Sequence, residues 1–176
     1  DVVSGTPGAN DNGAAVIQVM AAAARLQATL RVGVEEPDVT FCLWDHEELY
    51  GSSVMGSRVF VEGHAESLPA CAVVLDVTGV GSLFVSGADG SGLLPDLRRR
   101  STPPSDDLNL RASGIPTTLV SALPDDEFDK ALPTTWQVLH TSEDNPDRVS
   151  ESGLEAGSAL LLEVIARYQQ RRQVAT

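Results

Sequence analysis

The sequence predicts an α/β domain whose sheet is mixed, mostly parallel and flanked by helices. Three observations carry that expectation. Segments with helical spacing alternate with short apolar runs, the order expected of a sheet built through crossover connections. Two of those runs, residues 38–45 (DVTFCLWD) and 68–77, are almost wholly apolar, as strands covered on both faces are. Residues 13–30 (GAAVIQVMAAAARLQATL) are rich in alanine, which suits a helix packed closely on a sheet. At 176 residues the chain reads as one domain, residues 1–176, long enough to bury a core without staples.

The elements follow in order. Residues 1–12 form a loop rich in Gly and Pro that ends in Asn10-Asp11-Asn12, where an asparagine can cap the helix behind it. In the 13–30 helix, Val16, Met20, Ala23 or Ala24, and Leu26 or Leu30 fall on one side, the expected buried face. A turn at 32–37 leads into the 38–45 strand. A second helix is expected within 51–62, capped by Ser52 or Ser53. Strands follow at 68–77 and 80–86. Residues 93–100 read as helical, with Arg98-Arg99-Arg100 as a solvated helix end, broken by Ser101-Thr-Pro-Pro-Ser105. A short helical turn at 107–113 precedes a strand at 115–120, and 123–133 is an acidic surface loop with two prolines. The final helix, 149–171, carries Leu154, Ala159, Leu161, Leu162, Ile165 and Ala166 at roughly helical spacing.

Composition excludes several roles. With 12 basic residues against 25 acidic ones the net charge is −13, which repels phosphate backbones and anionic membrane surfaces, so neither nucleic acid nor membrane is an expected partner. No apolar run approaches the roughly 20 residues of a membrane span. Cys42 and Cys71 lie inside apolar runs and read as small buried hydrophobes, or as a disulfide if their strands are neighbours.

The chemistry-bearing residues gather at element ends. Asp11 stands before the first helix, Glu47-Glu48 after the 38–45 run, Asp76 at the end of 68–77, and His140 after the short apolar stretch 136–139. Strand ends are where an open α/β sheet presents ligand-binding residues. Acidic groups joined by one histidine have the donor chemistry of a metal site. A co-catalytic pair of divalent ions needs a bridging carboxylate and further His or carboxylate ligands. Adjacent glutamates can divide the remaining work, one coordinating while the other faces the water. The serines have no Ser-His-Asp context, and none of the three histidines lies near a Gly-x-Ser-x-Gly, so serine hydrolase chemistry is not expected. His46 reads as a residue of the rim or as a support for the ligands, and His64 as surface. Asp106 reads as a turn former and Asp144 as an orienting partner of His140 or a turn cap.

The ordered motifs Gly8-Ala-Asn-Asp-Asn-Gly13, Phe41-Cys-Leu-Trp-Asp-His-Glu-Glu48 with Gly56-Ser57, Val74-Leu-Asp76, Ser105-Asp106 with Gly114-Ile-Pro116, and His140-Thr141 with Asp144 resemble those of the M28-type co-catalytic zinc aminopeptidases. The resemblance implies a zinc-exopeptidase (phosphorylase/hydrolase-like) architecture and a catalytic domain lacking its N-terminal strands. It implies that Asp11 bridges two zinc ions, that Glu48 and His140 ligate one and Asp76 the other, and that Glu47 is the general base toward a metal-activated water. It also implies a cis peptide bond after Asp11. The expected activity is hydrolysis of N-terminal peptide bonds, with a peptide or aminoacyl compound as substrate. Two departures accompany it. Asp1 falls at the Asp of the family's His-x-Asp motif, so the remaining histidine ligand would precede the chain. The loop 49–57 departs from the family's spacing, so side-chain specificity does not carry over. The alternatives are another amide hydrolase or acyl-transfer enzyme on this scaffold, such as a carboxypeptidase or glutaminyl cyclase, and a non-catalytic binding domain of the same fold.

Overall fold

The computed structural model of the chain describes residues 4–29 and 38–174. Asp1, Leu30 and the expected 32–37 turn lie outside the described residues. The strands are β1 (Ala72–Leu75), β2 (Ser82–Ser86), β3 (Arg98–Arg100) and β4 (Thr117–Leu123), forming one sheet in the order β1-β4-β2-β3. β1 runs parallel to β4 and β3 parallel to β2, while β2 and β4 are antiparallel. The mixed, mostly parallel sheet is therefore as the sequence predicts. β4 is buried along its whole length, which explains its unbroken run of Thr, Val, Leu, Ser and Ala.

Side chains alternate across the pleat and build a core on each face. Val74 pairs with Leu119 and Leu75 with Val120. Val74 and Leu119 join Val61, Leu110 and Ile115 beneath helices α2 (Gly56–Gly63) and α3 (Asp107–Ala112). Leu75 and Val120 join Ala15, Ala22, Val85, Leu161 and Val164 beneath α1 (Ala14–Thr29) and α5 (Glu151–Val174). A short helix, α4 (Thr134–Gln137), lies between β4 and α5 in the chain.

Where elements depart from the sequence expectation, packing decides. The buried face of α1 is Ala14, Ala15, Gln18 and Ala22, and Met20 is 59% exposed. α5 approaches α1 through Gly157, where an added Cβ would fall 2.2 Å from the Gln18 side chain, so small residues face the contact and larger ones turn outward. On α5 the buried positions include Gly153, Gly157, Leu160, Leu161, Val164 and Ile165, while Ala159 and Ala166 are exposed.

Residues 38–45 form no ladder among the described residues. Their apolar side chains pack instead: Phe41 on the core beneath α1 and α5, and Trp44 on the core beneath α2 and α3, its ring centroid 5.5 Å from that of Phe60. Leu43 is 54% exposed. Residues 93–100 are not helical either. Pro95 removes a donor there, Asp89 accepts the N–H groups of Gly92 and Leu94, and the arginine run becomes the edge strand β3. Cys42 and Cys71 are free and partly buried, and burial pushes both thiols up.

Candidate metal centre

Asp11 is placed by its neighbours rather than by its own helix. The N–H groups of Asn10 and Asp11 donate to the two carboxylate oxygens of Asp144 at 2.9 and 3.0 Å. Asn10 Oδ1 accepts the Gly79 N–H at 2.7 Å, and Asn12 Nδ2 donates to the Leu75 carbonyl at 3.2 Å. Both asparagines thus tie the Asp11 loop to the end of β1 and to the turn behind it. The capping role expected of them is not the one seen, because the loop needs these cross-links more than the helix needs a cap. The peptide bond between Asp11 and Asn12 is cis, as the resemblance implies.

Asp76 follows β1, its N–H donating to the Val120 carbonyl at 3.0 Å. The next residue, Val77, has φ +54°, an uncommon conformation for a β-branched residue. The Val77 carbonyl accepts from the Ala122 N–H at 3.0 Å and the Ser121 hydroxyl at 3.2 Å, so β4 holds the turn that displays Asp76. Glu47 and Glu48 stand on the turn after Trp44, where the Asp45 carbonyl accepts the Gly56 N–H at 2.9 Å. His140 follows α4 with φ +62°.

These separate segments converge. His140 Nε2 lies 2.9 Å from Asp11 Oδ2 and 2.9 Å from Glu48 Oε1. Ligand atoms of Asp11, Glu48 and His140 all fall within 4.8 Å of one another, a donor set able to hold one metal ion. Glu47 and Asp76 line the same pocket, which has a volume of about 500 Å³ and walls that include Tyr50, Leu132, Trp136 and Leu139. Like charges crowd here. Burial, then Asp76 and Glu48, push Asp11 up to about 7 against the opposing pull of His140. Burial, then the same two carboxylates, push Glu47 up to about 8. Asp76 rises to about 6, chiefly through burial, with a Ser105 hydrogen bond opposing and Asp106 and Glu48 adding. Carboxylates that retain protons so far above their usual range are a poor fit to one another and a good fit to a divalent cation, which neutralises them together. Imidazole and carboxylate are both ligands that zinc accepts.

The other sequence candidates separate clearly. His46, with φ +60°, pairs with the exposed Asp45 at 3.0 Å rather than supporting the ligands. His64 stacks on Phe60 at the surface, 4.5 Å between centroids. Asp106 is raised by burial and faces Asp76 and Glu47 electrostatically, so it belongs to the site's surroundings and is more than a turn former. Asp144, only 1% exposed, grips the backbone of Asn10 and Asp11 instead of orienting His140. Sequence reasoning did not find that clamp, nor the pocket wall of Leu132, Trp136 and Leu139. The apolar residues directly before His140 were the available signal for the wall.

The fold thus gathers Asp11, Glu47, Glu48, Asp76 and His140 around one pocket at the end of β1. The resemblance read from the sequence is borne out: the model of peptidase family M28 matches residues 1–86, which contain Asp11, Glu47, Glu48 and Asp76. No curated protein matches the chain. Among solved structures, a zinc aminopeptidase from Bacillus subtilis is similar with a TM-score of 0.68 and 21% identity, over 96% of this chain and 44% of that one. The LapA aminopeptidase of Legionella pneumophila gives a TM-score of 0.71 at 22% identity, over 95% and 48%. A glutaminyl cyclase from an Acidobacteriales bacterium gives 0.64 at 18%, over 93% and 63%. The chain thus spans less than half the length of these two aminopeptidases.

Proposed function

We propose that residues 1–176 form a zinc-peptidase catalytic domain, acting as an exopeptidase of the aminopeptidase type on peptide or aminoacyl substrates. The observation that carries this reading is the convergence of His140 Nε2 on Asp11 and Glu48, 2.9 Å from each, beside the adjacent Glu47. In this reading Asp11, Glu48 and His140 would hold one zinc ion, and Asp11 and Asp76 would serve a second. When bound, zinc polarises the scissile carbonyl and lets water react near neutral pH.

The chain's own residues do the rest. Glu47 accepts a proton from the attacking water as the C–O bond forms, and returns it to the amine as the C–N bond breaks, a general-base then general-acid cycle. Burial and neighbouring carboxylates push Glu47 up to about 8 in the metal-free chain, and a cation nearby would favour its ionised form, the one that accepts the proton. Asp144 keeps the Asp11 loop in place throughout, because both its oxygens are bonded to that loop.

Hydrolysis of leucine p-nitroanilide, with added zinc and with chelator, tests the reading. Zinc-dependent release of p-nitroaniline is expected, and Glu47→Gln should lower kcat roughly 100-fold or more while zinc binding persists. Full activity in Glu47→Gln would remove that residue from the mechanism. A second reading has one specific support: the compact group Asp11, Glu48 and His140 suffices for a single ion, and the fold is also that of a glutaminyl cyclase. Cyclisation of an N-terminal Gln peptide without hydrolysis of the anilide would favour it. A folded chain that binds zinc and turns over neither substrate would favour the non-catalytic binding domain.

A further inference from the structure

The arginine run at Arg98–Arg100 is the longest basic run in an acidic chain, and the mechanism above makes no use of it. Side chains alternate along a strand, so Arg98 and Arg100 share one face of β3 and Arg99 takes the other. Both members of the shared face engage the segment that leads to the pocket wall. The Arg98 guanidinium lies 3.5 Å from the Phe128 ring centroid and 3.3 Å from Asp125 Oδ1. Arg100 donates to the carbonyls of Glu127, Phe128 and Lys130 and lies over the Trp136 ring, 4.6 Å from its centroid. A planar fork meeting several carbonyls while covering an aromatic face is a contact that lysine cannot reproduce.

The held segment is in turn joined to α4. Glu127, itself buried, accepts the Thr135 N–H at 2.8 Å, next to Trp136. Beyond its own strand β3 runs directly to Thr102, Pro103 and Pro104, which line the same pocket as Trp136 and Leu139. β3 therefore leads into one part of the pocket lining and anchors the aromatic residue of another part.

We infer that Arg100 is a positioning residue for the substrate pocket, fixing Trp136 as a wall through the 127–130 carbonyls and its own guanidinium face. The inference rests on the proposed reading only in taking the pocket as the place where substrate binds. None of the partners of Arg100 is a proposed metal ligand, so its loss should disturb substrate binding and leave the ion in place.

The test uses the chain in a Trp44→Phe background, where emission reports Trp136 alone, because the sequence has two tryptophans. Arg100→Lys, Arg100→Ala and the opposite-face control Arg99→Ala are compared by emission maximum, acrylamide quenching, zinc affinity, and kcat and KM on leucine p-nitroanilide. For both Arg100 variants the expected result is red-shifted, more readily quenched Trp136 emission. KM should rise roughly tenfold with kcat within about twofold, the pattern of lost substrate binding. Zinc affinity should not change, and Arg99→Ala should behave as the parent. Unchanged emission in both Arg100 variants, an equal effect from Arg99→Ala, or loss of folding in both Arg100 variants would each overturn the assignment. A parent that hydrolyses nothing would count against the peptidase reading, while Trp136 emission and quenching still decide the role of Arg100.

Discussion

Asp144 uses both carboxylate oxygens on main-chain N–H groups, and those groups belong to the residue proposed to bridge the metals and to the one before it. Because the carboxylate is buried and the donors have no water to turn to, the arrangement fixes Asp11 before any cation arrives. Asp144→Asn would leave one N–H facing an amide NH₂ group. Loss of a hydrogen bond to a buried charged group costs about 2–3 kcal/mol, which for a chain of this size lowers the melting midpoint by about 5–10 °C. Residues that support ligands typically contribute 10–100-fold to metal affinity. Calorimetric titration with zinc should therefore show Asp144→Asn weaker by about tenfold or more, and equal affinity would show that the clamp has no part in the site. In the sequence Asp144 was visible as a carboxylate close to His140 and part of the same motif, with no sign of what it binds. Its distant partners, more than 130 residues away along the chain, leave no local pattern to read.

The contact between α1 and α5 shows why small residues recur in this chain. Gln18 is fully buried, its Nε2 donating to the carbonyls of Thr78 and Gly153 and its Oε1 accepting from the Thr78 hydroxyl. A Cβ at Gly153 would fall 2.4 Å from the Gly79 carbonyl oxygen, a backbone atom in the turn that follows Asp76 and Val77. Gly153→Ala must move either α5 or that turn. An overpacking cost of about 1–3 kcal/mol is expected, measurable as a lowered urea midpoint with an unchanged m-value. An unchanged midpoint would mean that the helix yields freely. The helical pattern of α5 was legible from its Leu and Ile spacing, and so were β1, β2 and β4 from their apolar runs. The face of α1 was not, because alanines suit either side and a buried glutamine declares itself only through its partners. β3 was hidden by its arginines, whose place on an edge strand depends on pairing with β2, a contact between distant residues. Residues 38–45 have the composition of a strand, but a ladder needs a neighbour as well as a composition.

At the scale of the molecule, the carboxylate cluster links pH, metal and stability. Asp11, Glu47 and Asp76 have folded-state values of about 7, 8 and 6, each above the ordinary carboxyl range. Below that ordinary range both folded and unfolded chains are protonated at these groups, and they are no burden to the fold. As pH rises the unfolded chain releases these protons first, so the folded chain binds more of them and stability falls progressively between about pH 4 and 8. Thermal melts of the metal-free chain should move downward across that window, and saturating zinc should raise the midpoint most at its upper end. A metal-free midpoint that climbs from acid to neutral pH would contradict the raised values. The order of the site residues along the chain was legible in the sequence because each stands at the end of an apolar run or before a helix. Their mutual distances were not, since they depend on how four strands pair. Asp11, Glu48 and His140 are proposed to form one metal centre. Its most direct test is zinc content per chain, by elemental analysis after dialysis near neutral pH, in the parent, Glu48→Ala and His140→Ala. If that centre forms, the parent should retain at least one zinc and both variants should show a marked loss, with circular dichroism showing all three folded. A folded parent that retains no zinc, or variants that retain as much as the parent, would contradict it.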